Sequence, residues 1–253
     1  MLDYNTAGKL KQMKMSVMAS AFRDQLDGGA AAELSFEERV GLIVDAEYIS
    51  RRNNRLKRLI RQAGFSTPEA CLEDIEYHPD RELDKALISR LSTGNYIEDR
   101  RNIIILGATG GGKTYIANAF GIAAARSFTP VKYVRLPELL GELAIARLDG
   151  THRKVVKLYK TVKLLIIDEW LLSQVQDADA KELLEITEAR YKRASTIYCS
   201  QYDVGGWHTQ LGGGPVADAI CDRIVHESYK IVIASNREDS VSMRQRKGIN
   251  GET

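Results

Sequence analysis

Cysteine and histidine are scarce here, with three Cys and four His in 253 residues. Cys71, Cys199 and Cys221 are odd in number and far apart, which excludes a disulfide framework and a CxxC metal pair. They read as free, partly buried thiols. His78, His152, His208 and His226 lack the spacing of metal ligands. No apolar run approaches the ~20 residues that a bilayer-spanning helix needs, and the start MLDYNTAGKLKQ has no apolar signal-peptide core. The protein is therefore expected in the cytoplasm, without a membrane partner. Neither sign of charge is in excess: 36 Lys and Arg against 34 Asp and Glu leave a net +2 and a pI near 8.3. Bulk charge thus gives no sign of nucleic-acid binding, and any such sign must be local. Internal repeats and low-complexity segments are absent. A hydrophobic share of 44% with 28% charged is that of an ordinary globular chain.

One stretch breaks the even balance. RRNNRLKRLIR, residues 51–61, places Arg51, Arg52, Arg55, Lys57, Arg58 and Arg61 within three helical turns. It closes a region, residues 1–66, in which Gly and Pro are rare and apolar residues recur at helical spacing. A first helix is expected from Lys9 to Leu26. A second begins at a capping box of Ser35 with Glu38 and carries an apolar stripe through Phe36, Val40, Ile43, Val44, Leu56, Leu59 and Ile60. Ile49, Leu56, Leu59 and Ile60 would anchor its basic end. Arg51, Arg55 and Arg58 would share another face at i, i+4 and i+7, suited to a phosphate backbone. Residues 67–94 turn acidic and turn-rich and read as a linker. From residue 95 to 253, short β-branched runs alternate with helical stretches, the pattern of a parallel α/β sheet. Five strands are expected: Asn102 to Leu106, Val131 to Arg135, Leu164 to Asp168, Thr196 to Ser200 and Lys230 to Ala234.

The first strand leads into GATGGGKT, comprising Gly107, Ala108, Thr109, Gly110, Gly111, Gly112, Lys113 and Thr114, and then into a helix. Strand, GxxxxGK[ST] and helix in that order make a phosphate-binding loop. Its glycines let backbone N–H groups turn toward phosphate oxygens, and the helix N-terminus adds partial positive charge. Lys113 would reach the β- and γ-phosphates, and Thr114 would hold Mg²⁺. KLLIIDEW ends a later strand in Asp168 and Glu169, at the strand edge where open α/β sheets bind ligands. Asp168 would complete the Mg²⁺ shell, and Glu169 would polarise the attacking water. These motifs together indicate a nucleoside triphosphatase that uses Mg²⁺.

With those motifs quoted, the chain resembles the AAA+ ATPases, and among them the initiator-type branch holding the IstB transposition helpers and the DnaC-type helicase loaders. SFEERVGLIVDAEYISRRNNRLKRLIRQAGF is similar to the IstB N-domain pattern, which separates the two relatives. The resemblance implies an AAA+ P-loop α/β fold with a five-stranded parallel sheet, preceded by a small helical domain that binds DNA. It implies that Ser200 and Gln201 act as sensor 1, Arg223 as an arginine finger working in trans within a homo-oligomer, and Arg244 as sensor 2. Only some twenty residues follow the last expected strand, so a reduced C-terminal lid is expected. PELLGELAIARLDGTHRKVVKLYKTVK resembles the extra helical insertion of that branch, and Arg153, Lys154, Lys157 and Lys160 in it are DNA-contact candidates. A solvated helix face explains their spacing equally well.

The resemblance implies an ATP-dependent regulator that assembles on duplex DNA, hydrolyses ATP and acts with its cognate transposase. A helicase loader preferring single strands, a small-molecule kinase and a nucleotide-switched scaffold stay open as alternatives. Trp207 and the exposed-looking Trp170 are core candidates before they are partner contacts.

Overall fold

The computed structural model describes residues 2–28, 33–234 and 243. By compactness the chain divides into Met1–Arg58 and Leu59–Thr253.

The first unit is helical, with α1 (Leu2–Gln12), α2 (Ser16–Asp27) and most of α3 (Phe36–Ala63). The single helix expected over Lys9–Leu26 is two. Lys14 adopts a left-handed φ of 59°. The amides of Lys14 and Met15 reach back to the carbonyls of Lys11 and Leu10, both at 2.9 Å, which is a Schellman closure with lysine where glycine is usual. What compensates lies on α3. The Glu47 carboxylate accepts the Val17 and Met18 amides at 3.0 and 2.9 Å and so caps α2 from thirty residues away. Arg51 then clasps Glu47 Oε1 at 2.7 Å and the Lys14 carbonyl at 2.8 Å. The capping box forms as expected: Ser35 N donates to Glu38 at 2.8 Å and Glu38 N to Ser35 Oγ at 3.3 Å. Four of the expected apolar positions do not hold, for Phe36 is 83%, Val40 41%, Val44 45% and Ile49 55% exposed.

The second unit carries α4 (Lys85–Ser92), α5 (Asn95–Glu98) and then five parallel strands: β1 (Asn102–Leu106), β2 (Val131–Arg135), β3 (Leu164–Asp168), β4 (Ser195–Ser200) and β5 (Ser228–Val232). Their order is β2-β3-β4-β1-β5. The first three match the sequence reading to the residue, because runs such as NIIIL and LLIID are buried on both faces, as a helix-covered parallel sheet requires. β5 begins and ends two residues earlier than expected. It pairs from Asn102↔Ser228 to Leu106↔Val232, and β1 ends there because Gly107 turns into the loop. Ala234 is then free to donate its amide to the Arg81 carbonyl at 3.0 Å.

Helix α6 (Lys113–Arg126) covers one face. Gly121 lets it approach closely, since a Cβ there would lie 2.5 Å from Phe65 and 2.7 Å from Ile166. Helices α7 (Leu136–Leu148), α8 (His152–Thr161), α9 (Asp177–Arg190), α10 (Val204–Gln210) and α11 (Gly214–Val225) follow. The opposite face packs a core of Ile104, Leu165, Ile167 and Tyr198 with Leu139, Leu143, Leu183 and Ile220. Trp170 and Trp207 belong to it, both buried and edge-on at 5.9 Å. Both are thus core, the role that the sequence favours for each over a partner contact. No described helix is long and apolar enough to cross a membrane.

Candidate nucleotide site

The carboxyl ends of β1 and β3 place both motifs at one sheet edge. Gly110 and Gly112 adopt φ of 78° and 93°, the left-handed region that lets the loop double back before α6 starts at Lys113. The Lys113 ammonium is folded onto its own loop and donates to the carbonyls of Gly107 at 2.7 Å and Ala108 at 2.8 Å. Burial lowers its pKa, and the neighbouring Cys199 and Asp168 work against that shift. Thr114 Oγ1 donates to Asp168 Oδ2 at 2.7 Å. A hydroxyl beside a buried carboxylate offers hard oxygen donors, which fit Mg²⁺. Asp168 is held by two further donors, Tyr133 Oη on Oδ2 at 2.9 Å and the Glu169 amide on Oδ1 at 2.9 Å. Glu169 has a left-handed φ of 54° and lies 3.8 Å from the Arg135 guanidinium at the end of β2.

A cavity of about 690 Å³ opens beside this cluster, between Gly110, Gly112, Lys113 and Thr114 on one side and Thr67, Glu69, Asp74, Ile75 and Arg81 on the other. Residues read as an acidic linker thus form one wall of the site. Met243, which also lines the cavity, donates its amide to Gly110 O at 3.1 Å. Sequence reasoning missed Arg81, Tyr133 and Arg135, since each comes from a distant segment with no motif of its own.

The other candidates are placed differently. The Ser200 hydroxyl is 1% exposed. It donates to the Trp170 carbonyl and accepts from Trp207 Nε1, both at 3.0 Å, so it braces the aromatic core. Gln201 beside it is exposed. Arg223 donates to the Ala219 carbonyl and to Glu188, both at 2.9 Å, on its own subunit. Arg244 lies outside the described residues.

Among the basic candidates, Arg51 carries the structural bonds described above, and Arg52 stacks over Tyr48 at 5.6 Å. Arg52, Arg55, Lys57, Arg58 and Arg61 are exposed along α3. On α8, Arg153, Lys154 and Lys157 are exposed, and Lys160 pairs with Glu185 of α9.

The IstB-like ATP binding protein family matches residues 8–249. The candidate insertion sequence ATP-binding protein y4pL of Sinorhizobium fredii (strain NBRC 101917 / NGR234) is 37% identical over 98% of this chain and 99% of its own. A candidate ATP-binding protein of insertion sequence IS1162, from Pseudomonas fluorescens, is 38% identical over 79% of this chain and 87% of its own. Among solved structures, the DnaC helicase loader superposes with a TM-score of 0.54 at 17% identity, over 65% of this chain and 96% of that one. The replication initiator DnaA bound to AMPPCP and single-stranded DNA gives 0.54 at 20%, over 65% of this chain and half of the other. These superpositions show a shared fold, a five-stranded parallel α/β sheet with the phosphate-loop motif after its first strand. The match along nearly the whole sequence establishes the lineage: this chain belongs to the IstB-like ATP-binding protein family.

Proposed function

We propose that the protein hydrolyses ATP and that nucleotide-dependent assembly on duplex DNA makes it a partner of its cognate transposase. The observation that carries the catalytic part is the convergence of Lys113, Thr114, Asp168 and Glu169 on one sheet edge. Lys113 exchanges its two loop carbonyls for the β- and γ-phosphates of ATP, with the base and ribose in the cavity between residues 67–81 and α6. Thr114 and Asp168 would hold Mg²⁺, which when bound would neutralise charge on the transferring phosphoryl group. The Glu169 carboxylate orients a water and takes its proton as the oxygen attacks the γ-phosphorus, while the bond from that phosphorus to the bridging oxygen breaks and ADP leaves with that oxygen. Arg223 of a neighbouring copy supplies the positive charge that completes the site. A finger of this kind is worth roughly 10³ to 10⁵ in rate, so an isolated subunit turns over slowly.

The exposed cations of α3 and α8 are read as phosphate contacts that position the chain on DNA without reading its sequence. The N-domain pattern of residues 35–65 favours this transposition role over helicase loading, which would prefer single-stranded DNA.

Glu169→Gln tests the reading. It is expected to abolish phosphate release while retaining ATP-dependent complexes on duplex DNA in sedimentation. Unchanged turnover would remove Glu169 as the base. Tighter binding to single strands than to duplex would favour the loader.

A further inference from the structure

Arg81 lies in the segment read as a linker, yet its side chain is only 6% exposed. The guanidinium donates through Nη2 to the carbonyl of Gly111 at 2.9 Å and through Nη1 to the carbonyl of Glu76. It packs so closely on the phosphate loop that a Cβ at Gly112 would meet Nη2 at 2.9 Å. The Arg81 backbone is fixed in turn, since its carbonyl accepts the amide of Ala234 just beyond β5 at 3.0 Å.

A trans peptide is planar, so the carbonyl of Gly111 and the N–H of Gly112 point in opposite directions. Anchoring that carbonyl on Arg81 holds the Gly112 N–H on the side away from the guanidinium. There it can join the N–H groups of the first turn of α6 in a phosphate cradle. Glycine at 110, 111 and 112 leaves the loop without side-chain restraint, and two of these residues already sit at positive φ. Such a loop populates many conformations unless something outside it selects one.

We propose that Arg81 is a positioning residue of the nucleotide site, fixing the Gly111–Gly112 peptide so that the loop is set for phosphate before nucleotide arrives. This rests on the reading of the adjoining cavity as the ATP site. It assigns a role in nucleotide affinity to a residue outside both nucleotide motifs. It also makes the 76–82 segment and the exit of β5 part of the phosphate-binding apparatus.

The test uses the full chain, Arg81→Ala and Arg81→Lys, with equilibrium binding of fluorescent ATP and ADP analogues, competition by adenosine, steady-state hydrolysis and thermal melts. For Arg81→Ala, ATP and ADP affinity is expected to fall about tenfold, the scale of one lost charged hydrogen bond plus loop disorder, with adenosine changed less than about twofold. KM should rise while kcat stays within about twofold, because the loop is ordered once nucleotide is bound. Arg81→Lys keeps the charge but not the fork and should lose only about threefold. If the alanine variant does not fold, the lysine variant decides. Wild-type affinity in a folded variant, or an equal loss for adenosine and ATP, overturns the inference and leaves the ATP site standing. Failure of the wild-type chain to bind any of the nucleotides overturns the site itself.

Discussion

Arg190, the last residue of α9, is 2% exposed and makes no ion pair among the described residues. Burial pulls its pKa down to about 10, which leaves it charged at neutral pH. Its charge is met by oxygen dipoles alone. Nε donates to Thr196 Oγ1, and Nη1 to the carbonyls of Tyr159 and Val162, all at 2.8 Å, while Nη2 donates to the Ser195 carbonyl. The side chain thereby ties the end of α8 to the start of β4. Arg190→Met keeps the volume and strands three carbonyls and a hydroxyl in a dry setting. Each orphaned acceptor costs about 1–3 kcal/mol. Removing a buried cation returns several kcal/mol of desolvation. The balance is a loss of about 3 kcal/mol, which for a chain of this size lowers Tm by roughly 6–12 °C. Thermal unfolding followed by circular dichroism measures it, with Arg190→Lys expected between the two. Duplex DNA affinity should fall with it, since α8 carries Arg153, Lys154 and Lys157. A methionine variant melting within about 2 °C of wild type would refute the claim that these four bonds outweigh the cost of burying the cation.

Tyr133→Phe removes one of the donors on Asp168, so about tenfold more Mg²⁺ should be needed to support binding of a fluorescent ATP analogue. Binding in EDTA should be unchanged, and a uniform loss with and without metal would count against a role through Asp168. Gly121→Ala drives a methyl into Phe65 and Ile166 and should destabilise by about 1–3 kcal/mol, read as a lower urea midpoint at unchanged slope. Lys57→Ala should leave the melt unchanged and reduce the slope of log affinity for duplex against log salt by about 0.9. Arg51→Ala should lower the melt as well, by about 1–2 kcal/mol, because it also releases Glu47 and the Lys14 carbonyl. Equal melts for these two variants would show that the Glu47–Arg51 clasp carries no stability.

What the sequence made legible is what is contiguous. NIIIL, GATGGGKT and LLIID each hold strand, loop or carboxylate within a few residues, and each lies where its pattern put it. The break between α1 and α2 was not legible, because the group that caps α2 is Glu47, on a different helix. Arg81 and Tyr133 were hidden for the same reason: the fold carries them to Gly111 and Asp168 from 30 and 35 residues away. Ser200 shows the converse, where the position was legible and the partners were not. Its hydroxyl is committed to two tryptophans whose burial depends on the closure of the whole sheet.

The same limit applies to charge. Counting cations along α8 and α11 says nothing of α9, whose Glu182, Glu185 and Glu188 recur at i, i+3 and i+6. Glu182 takes Arg147 and His152, Glu185 takes Lys160, and Glu188 takes Arg223. Two of the proposed functional cations are therefore paired on α9, as Arg51 is with Glu47 on α3, and the energetics decide whether that matters. Exposed pairs of this type contribute about 0–1 kcal/mol and weaken with salt. Arg223 and Glu188 are both partly solvated, at 29% and 49% side-chain exposure. Their pairing is thus a small barrier beside the roughly 4–7 kcal/mol that an arginine finger returns in the transition state. In the proposed finger role, the Glu188 carboxylate would keep Arg223 ordered on α11 in the free chain without preventing its transfer to a neighbouring copy's phosphate. Lys160 differs in kind: a single phosphate contact returns little more than its Glu185 pair supplies, so among the α8 cations Arg153, Lys154 and Lys157 carry the stronger expectation of DNA contact.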